Sequence, residues 1–215
     1  MVKARSKYVC QQCGTSYPKW SGKCENCGAW NSLVEQTPVA EGKSAVARSA
    51  GKKIEAERIR DVRVDKVSTR INTGFLDLDN VLGGGLMPGG VVLVAGQPGI
   101  GKSTILMQIA SYISKGKKVL YASGEESASQ VKLRAERLGA TETDNLYLAA
   151  TTSADDVAAT IQAGGYELAV IDSMQTMSMA EIASAPGTVS QITNCANIII
   201  RAAKLANTAV ILVGH

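Results

Sequence analysis

Short apolar runs alternate with helix-like stretches over most of the chain after residue 67. The apolar runs occupy residues 91–95, 119–122, 146–149, 168–171 and 209–213, and each has the length of a strand. Buried strands of a parallel sheet form continuous apolar runs, and right-handed crossovers place helices on both faces of such a sheet. The pattern therefore predicts an α/β fold with a mainly parallel sheet flanked by helices.

A helix is predicted over residues 189–206, because apolar residues recur there at helical spacing. The residues expected to pack on the sheet are Val189, Ile192, Ala196, Ile199 and Ala203. Cys195 lies in the same pattern and belongs to no cysteine motif, so we expect a buried small apolar side chain.

Composition divides the chain into a cysteine-rich module over residues 1–35, a linker over 36–66 and the predicted sheet over 67–215. The net charge of +4 is uneven: residues 1–72 carry 14 Lys and Arg against 7 Asp and Glu, and the remainder carries 9 against 12. The linker is rich in Ala, Ser, Gly, Lys and Glu and lacks an apolar period, which predicts a flexible basic segment. Such a segment suits a polyanionic partner, and a solvated linker explains the same charge equally well.

Residues 96–103 match the phosphate-binding loop G-x-x-x-x-G-K-[ST] at every fixed position, between an apolar run and a helical pattern. Backbone N–H groups of such a loop and the positive end of the following helix bind phosphate. We expect Lys102 to reach the β and γ phosphates of ATP and Ser103 to ligate Mg²⁺. The alternative is a glycine-rich turn with a solvated lysine. The residues predicted to contact the nucleotide and its magnesium are Gly96, Gly99, Gly101, Lys102, Ser103, Thr104 and Asp172.

Acidic residues follow two of the predicted strands. Asp172 ends the fourth apolar run, where a carboxylate can hold magnesium opposite Ser103, although an acid at a strand end can also cap a helix. Glu125 and Glu126 follow the second run, and a carboxylate there could polarise an attacking water. Glutamate is also favoured in the first turn of a helix by the helix dipole, so spacing alone leaves both roles open.

Four cysteines form the pattern C-x₂-C-x₁₀-C-x₂-C near the start of the chain, and this spacing is typical of a zinc site. The predicted ligands are Cys10, Cys13, Cys24 and Cys27. Four thiolates complete a tetrahedron and leave no position for water, so the zinc is expected to be structural. Two disulfides are the alternative, which a cytosolic chain disfavours. Trp20 and Trp30 would either pack against this site or present a stacking surface.

The distribution of apolar residues along the sequence argues against a membrane protein and against a secreted protein. There is no run of about 18 apolar residues, and the first seven residues are polar and basic with no apolar segment behind them. A cytoplasmic protein with no membrane partner is expected. The apolar content of 45% supports a sizeable core, and the single Phe makes that core mainly aliphatic.

Together these features resemble the RadA (Sms) family of bacterial RecA-like recombination ATPases, which carry an N-terminal four-cysteine zinc finger. The resemblance spans nearly the whole chain outside the linker. It rests on both cysteine pairs with their following glycines, Trp30-Asn31, Thr73-Gly74, Leu82-Gly83-Gly84-Gly85, the phosphate-binding loop, Tyr121 with Gly124-Glu125-Glu126-Ser127, Val170-Ile171-Asp172-Ser173 and Val213-Gly214-His215.

The resemblance implies a RecA-like core with a zinc ribbon, and an ATPase that acts as a homo-hexameric motor on single-stranded and branched DNA. Such a motor promotes branch migration in homologous recombination and repair alongside the RecA recombinase. Glu125 would then be the residue that activates water, with Glu126 as the second candidate, and Lys102 and Asp172 would complete the catalytic set. His215 falls where the family places a polar sensor residue, and an ordinary exposed role is the alternative.

The family's members continue with the rest of the RecA-like core, a Lys-Asn-Arg-Phe-Gly motif and a Lon-protease-like domain, so the ATPase domain over 67–215 is expected to be incomplete at its C-terminal side. Two other functions remain open. The chain could be a zinc-finger module that recruits partners and is switched by ATP, or a small-molecule kinase with a phosphate-binding loop, although no motif for an acceptor substrate is evident.

Overall fold

The computed structural model describes residues 7–10, 15–36, 55–62 and 70–214. The chain forms two compact units, residues 1–62 and 63–215. Most of the predicted linker, together with Cys13 and His215, lies outside the described residues. The domain boundaries drawn from composition stay predictions.

A three-stranded antiparallel sheet builds the N-terminal unit. Its strands are β1 (Lys7–Cys10), β2 (Ser16–Tyr17) and β3 (Leu33–Gln36), in the spatial order β2-β1-β3. Tyr8 pairs with Tyr17 on one side, and Cys10 pairs with Leu33 on the other. The core of the unit is small: Cys10, Cys24 and Leu33 are buried, and Tyr8 and Tyr17 pack against them.

The second unit is a five-stranded parallel sheet with helices on both faces, which confirms the predicted fold class. The predicted strands begin where expected, and four of them extend one residue further than predicted. The elements are α1 (Leu76–Val81), β4 (Val91–Ala95), α2 (Lys102–Ser114), β5 (Val119–Ser123), α3 (Ala128–Arg137), β6 (Leu146–Ala150), α4 (Ala154–Gly164), β7 (Leu168–Asp172), α5 (Val189–Ala206) and β8 (Ala209–Gly214).

The strand order β4-β8-β7-β5-β6 places the strand before the phosphate-binding loop at one edge. The inner strands β5, β7 and β8 are buried at every position, which explains their continuous apolar runs. Their side chains alternate between two cores: Tyr121 packs with α2 and α3, and Leu120 packs with α4 and α5. Because connections leave β5 and β7 in opposite directions, a crevice is expected at the carboxyl ends of these two strands.

Helix α5 spans the predicted residues, and four of the five residues predicted to pack on the sheet do so: Ile199 and Ala203 are buried, and Ile192 and Ala196 pack partly buried against the same core. Val189 is 81% exposed, whereas Gln191 is buried and lies on one face with Cys195 and Ile199. The expectation for Val189 is therefore wrong, and that for Cys195 is confirmed. Gln191 is inside because its amide binds the preceding loop: Nε2 donates to the carbonyls of Ile182 at 3.0 Å and Ser184 at 2.8 Å, and Oε1 accepts from the Met179 N–H. Gln191 lies near the start of the helix on the buried face, and apolar spacing does not identify a buried polar residue.

Candidate active site

The phosphate-binding loop connects β4 to α2, and two of its glycines have backbone conformations that favour glycine. Gly99 has φ = 79°, and Gly101, which precedes the first residue of α2, has φ = 98°. A Cβ at either position would meet no atom within 4 Å, so the constraint is conformational rather than steric. Residues other than glycine, asparagine and aspartate rarely adopt positive φ. The loop's glycines thus hold it in a turn that delivers the chain to the helix N-terminus.

Lys102 is the first residue of α2, and its side chain folds back over the loop. Its Nζ donates to the carbonyls of Gly96 at 2.7 Å and Gln97 at 2.9 Å, and only 8% of the residue is exposed. An ammonium group has three N–H donors, so one remains for a ligand oxygen. The loop therefore presents a buried, oriented cation at the N-terminus of a helix, an arrangement that suits a phosphate group.

A cavity of about 470 Å³ lies over this loop, within the size range of small-molecule sites. Its lining combines the loop and the start of α2 with one residue from the end of β5: Pro98, Gly99, Gly101, Lys102, Ser103, Thr104 and Glu125. The fold thus brings Glu125 to the predicted phosphate site from a position 22 residues beyond Ser103 in the chain.

Asp172 ends β7 and is buried, with 4% of its surface exposed. The Tyr121 hydroxyl donates to its Oδ2 at 2.6 Å, and Arg134 Nη2 lies 3.8 Å from the same oxygen. Arg134 also donates to the Tyr121 hydroxyl, at 3.2 Å. Burial, and then the charge of Asp172, raises the pKa of Tyr121 well above its usual value. The phenol therefore stays protonated and keeps donating to the carboxylate.

The two neighbouring glutamates have different surroundings. Glu126 Oε2 forms an ion pair with Arg134 Nη1 at 2.7 Å, and its backbone N–H donates to Ser123 Oγ. Glu125 is exposed to the cavity and accepts a short hydrogen bond from the buried Ser173 hydroxyl. Glu126 is thus held by a cation of α3, whereas Glu125 faces the predicted phosphate site.

Sequence reasoning assigned no role to Arg134 and Ser173, and it used Tyr121 only as part of a family pattern. The hydroxyl of Tyr121 in an otherwise apolar strand was a usable signal, because a buried phenol needs a hydrogen-bond partner. Ser173 directly follows Asp172 in the chain, and this position also indicated that its side chain lies near the predicted site. Arg134 belongs to α3, where its spacing does not distinguish it from exposed residues, although its side chain is only 11% exposed. No signal in the sequence pointed to it.

A sulfur cluster marks the candidate metal centre of the N-terminal unit. The Sγ atoms of Cys10, Cys24 and Cys27 all lie within 4.8 Å of one another, and those of Cys10 and Cys27 are 3.7 Å apart. Tetrahedral zinc with bonds of about 2.3 Å separates its sulfur ligands by roughly 3.8 Å, so the cluster fits zinc. A turn supports it: the Cys24 N–H donates to the Ala29 carbonyl, and the Gly28 N–H to that of Cys24. Cys13, the fourth predicted ligand, lies outside the described residues.

Comparison with known proteins decides the family. A family model for an AAA domain matches residues 55–215, three quarters of the chain, and one for a rubredoxin metal binding domain matches residues 8–35. The chain belongs to the AAA domain family. This match implies a nucleotide ligand, and the metal binding domain with its cysteine cluster implies zinc.

Individual relatives of the chain were also found among known bacterial proteins. The chain is 43% identical over 218 residues to the DNA repair protein RadA of Listeria monocytogenes and 44% identical over 217 residues to that of Pseudomonas aeruginosa. RadA of Streptococcus pyogenes is 42% identical over 217 residues. All three alignments cover the whole chain, which confirms the resemblance stated from the motifs. The chain spans 47% of the length of each of these relatives.

Among the helices of residues 7–10, 15–36, 55–62 and 70–214, none combines the length and the apolar character that a bilayer span requires.

Proposed function

We propose that the chain binds and hydrolyses ATP at the 96–103 loop, and that the longer protein uses this hydrolysis in DNA recombination and repair. The observation that carries the proposal is the shared cavity, in which Glu125 faces the loop residues and Lys102. A loop of this kind alone is a phosphate-binding site. A carboxylate on the opposite side of the same cavity adds a group that can act on water.

Lys102 and the loop N–H groups would bind the phosphates, and Thr104, two residues after Lys102 in α2, lines the same cavity. Ser103 and Asp172 would hold Mg²⁺, which neutralises phosphate charge when it is bound. Tyr121 and Arg134 keep Asp172 in place by the contacts described above. Lys102 and the loop N–H groups thus provide positive charge and hydrogen-bond donors for the phosphates, and phosphoryl transfer depends mainly on such positioning.

Glu125 is the proposed base. It accepts a proton from the water whose oxygen attacks the γ-phosphorus, while the bond from that phosphorus to the β–γ bridging oxygen breaks, giving ADP and inorganic phosphate. The Ser173 hydrogen bond holds the carboxylate, and the carboxylate stays open to the cavity. Glu126 is the less suitable candidate, because its Oε2 is paired with Arg134 and the residue does not line the cavity over the loop.

The DNA part of the proposal is supported by the identity of 42–44% to proteins named DNA repair protein RadA. In this proposal the longer protein has the properties that the family resemblance implies: it is a cytoplasmic homo-hexamer that acts on single-stranded and branched DNA, works with the RecA recombinase and promotes branch migration. The basic balance of residues 1–72 agrees with a polyanionic partner.

ATP turnover measured with and without single-stranded DNA tests this function. In the longer protein we expect DNA to raise turnover, and Lys102→Ala to abolish it. If DNA leaves turnover unchanged, the motor function is wrong, and if a sugar or nucleoside accepts the γ-phosphate instead, the protein is a kinase.

A second function, a partner-binding module switched by ATP, is favoured by one observation: the zinc-binding segment forms a compact unit separate from the ATPase unit. This second function predicts that Glu125→Gln, which binds ATP without hydrolysing it, still changes its affinity for the partner when ATP binds. The change should be as large as in the unmodified protein. The motor function predicts that this variant loses activity on DNA.

A further inference from the structure

Two tryptophans lie on the surface of the N-terminal unit. Trp20 is 55% exposed and Trp30 is 76% exposed, and they are the chain's only tryptophans. The interior next to the cysteine cluster is filled instead by Leu33, Tyr8 and Tyr17. The interpretation that the tryptophans pack against the metal site is therefore wrong. The remaining interpretation is that the two side chains form a binding surface.

The backbone holds both indoles on one small surface. Lys23 and Trp30 form an antiparallel bridge, and the Asn31 N–H donates to the Gly22 carbonyl at 2.8 Å. A Cβ at Gly22 would lie 3.8 Å from Trp20 Cη2 and 3.9 Å from Trp30 Cζ3, so the two rings flank the glycine. We call Trp20, Gly22, Lys23 and Trp30 the tryptophan platform.

The metal cluster supports the platform directly. Cys24 follows Lys23 in the chain, and its N–H donates to the carbonyl of Ala29, the residue before Trp30, at 2.8 Å. Zinc bound at Cys24 and Cys27 would therefore fix the turn that carries Lys23 and Trp30. Rings held in this way lose little conformational entropy when they bind a flat ligand.

The charge next to the rings identifies the kind of ligand. Lys23 Nζ lies 5.6 Å from the centre of the Trp30 ring, and Lys19 precedes Trp20 in the chain. Flat aromatic rings beside cations suit the bases and phosphates of single-stranded nucleic acid, because bases stack on such rings and the cations attract the phosphates.

We propose that the tryptophan platform stacks on bases of single-stranded DNA, with Lys19 and Lys23 close to the adjacent phosphates. The choice of DNA as the polymer rests on the proposed function, whereas the stacking surface rests on the exposed rings and cations alone. The residues of the platform belong to the N-terminal unit, and those of the ATP site belong to the second unit. It gives the zinc-binding unit a function beyond folding.

The absence of tryptophan elsewhere in the chain makes the test direct, since intrinsic tryptophan fluorescence reports only on the platform. The zinc-loaded chain is titrated with single-stranded oligothymidine, and binding is followed both by this fluorescence and by the anisotropy of a labelled oligothymidine. We expect saturable quenching at the concentrations that raise anisotropy. Trp20→Phe leaves Trp30 as the only reporter, and Trp30→Phe leaves Trp20.

Matched variants distinguish stacking from apolar contact. Trp30→Leu removes the ring and should weaken binding about tenfold, because a stacked base contributes roughly 1–3 kcal/mol. Trp30→Phe keeps a ring and should stay within about threefold of the unmodified chain. Lys23→Glu should weaken binding and reduce its dependence on salt. Zinc content and far-ultraviolet circular dichroism verify that each variant is folded, and Trp20→Leu replaces Trp30→Leu if the latter loses zinc.

Three results overturn the platform. If anisotropy shows binding without fluorescence quenching, or if Trp30→Leu and Trp30→Phe both bind as the unmodified chain does, DNA binds elsewhere, and the proposed DNA function stands without the platform. If anisotropy shows no binding to the chain, the platform is wrong. In that case the stimulation of ATP turnover by DNA in the longer protein decides separately whether the proposed function fails as well.

Discussion

The hydrogen bond from Tyr121 to Asp172 allows a quantitative test of how the site is held. Tyr121→Phe removes the hydroxyl that donates to Asp172 Oδ2 at 2.6 Å and leaves a buried carboxylate without that partner. A hydrogen bond to a charged group contributes about 1.5–3 kcal/mol to stability. Arg134 Nη2 is 3.8 Å from the same oxygen and can replace part of the interaction. We therefore expect the free energy of unfolding at pH 7 to fall by about 1.5 kcal/mol, the low end of that range.

The dependence on pH gives the same substitution a second signature. The folded pKa of Tyr121 is raised above its unfolded value of about 10, so the stability associated with this group is present below pH 10 and is lost as pH rises towards the folded pKa. In that window the unfolded state binds fewer protons than the folded state. Between pH 10 and the folded pKa, the free energy of unfolding of the unmodified chain should therefore fall by about 1.4 kcal/mol per pH unit more than that of Tyr121→Phe.

The assay is urea unfolding of the ATPase unit, followed by far-ultraviolet circular dichroism because both tryptophans lie in the other unit. Tyr147→Phe is the control, since it removes a hydroxyl from a tyrosine that is 42% exposed and should change stability by less than about 0.5 kcal/mol. If Tyr121→Phe changes the unfolding free energy no more than Tyr147→Phe does, Tyr121 does not hold Asp172 in the way described.

Three further predictions concern other parts of the molecule. Lys102→Ala should abolish ATP binding in equilibrium dialysis, since it removes the buried cation at the loop, and retained affinity would contradict the assignment of the phosphate site. Chelation of zinc should unfold the N-terminal unit and leave the ATPase unit folded. In the chelated chain Cys195 should react slowly with an alkylating reagent, because burial raises the pKa of its thiol. Rapid modification of Cys195 would show that the second unit unfolds as well. Gln191→Ala removes the amide that donates to the carbonyls of Ile182 and Ser184, so amide hydrogen exchange over residues 178–188 should accelerate by about tenfold. The control is Asn194→Ala, an exposed substitution on the same helix, which should leave the exchange rate unchanged.

Much of the ATPase unit could be predicted because its signals are local. Continuous apolar runs located β5, β7 and β8, since inner strands of a parallel sheet are buried on both faces. The phosphate-binding loop was evident because its glycines, lysine and serine are contiguous and lie between a strand and a helix.

What could not be predicted depends on contacts between distant residues. Tyr121 and Asp172 are 51 positions apart, and they meet because β5 and β7 are neighbours in the sheet, which their order in the chain does not reveal. The sequence left open whether Trp30 packs against the metal site or lies at the surface, and the small cysteine-centred core leaves this ring outside. The predicted face of α5 was right except at Val189, and it omitted Gln191 because apolar spacing does not identify a buried polar residue.

Single-turnover hydrolysis of ATP by Glu125→Gln and Glu126→Gln tests the central claim most directly. Both substitutions preserve size and remove a charge, so the two variants control for each other. If Glu125 activates water, Glu125→Gln should bind ATP normally and hydrolyse it at least about a hundredfold more slowly, while Glu126→Gln should keep most of the rate. Hydrolysis by Glu125→Gln at the rate of the unmodified protein, or a larger loss in Glu126→Gln, would contradict the account.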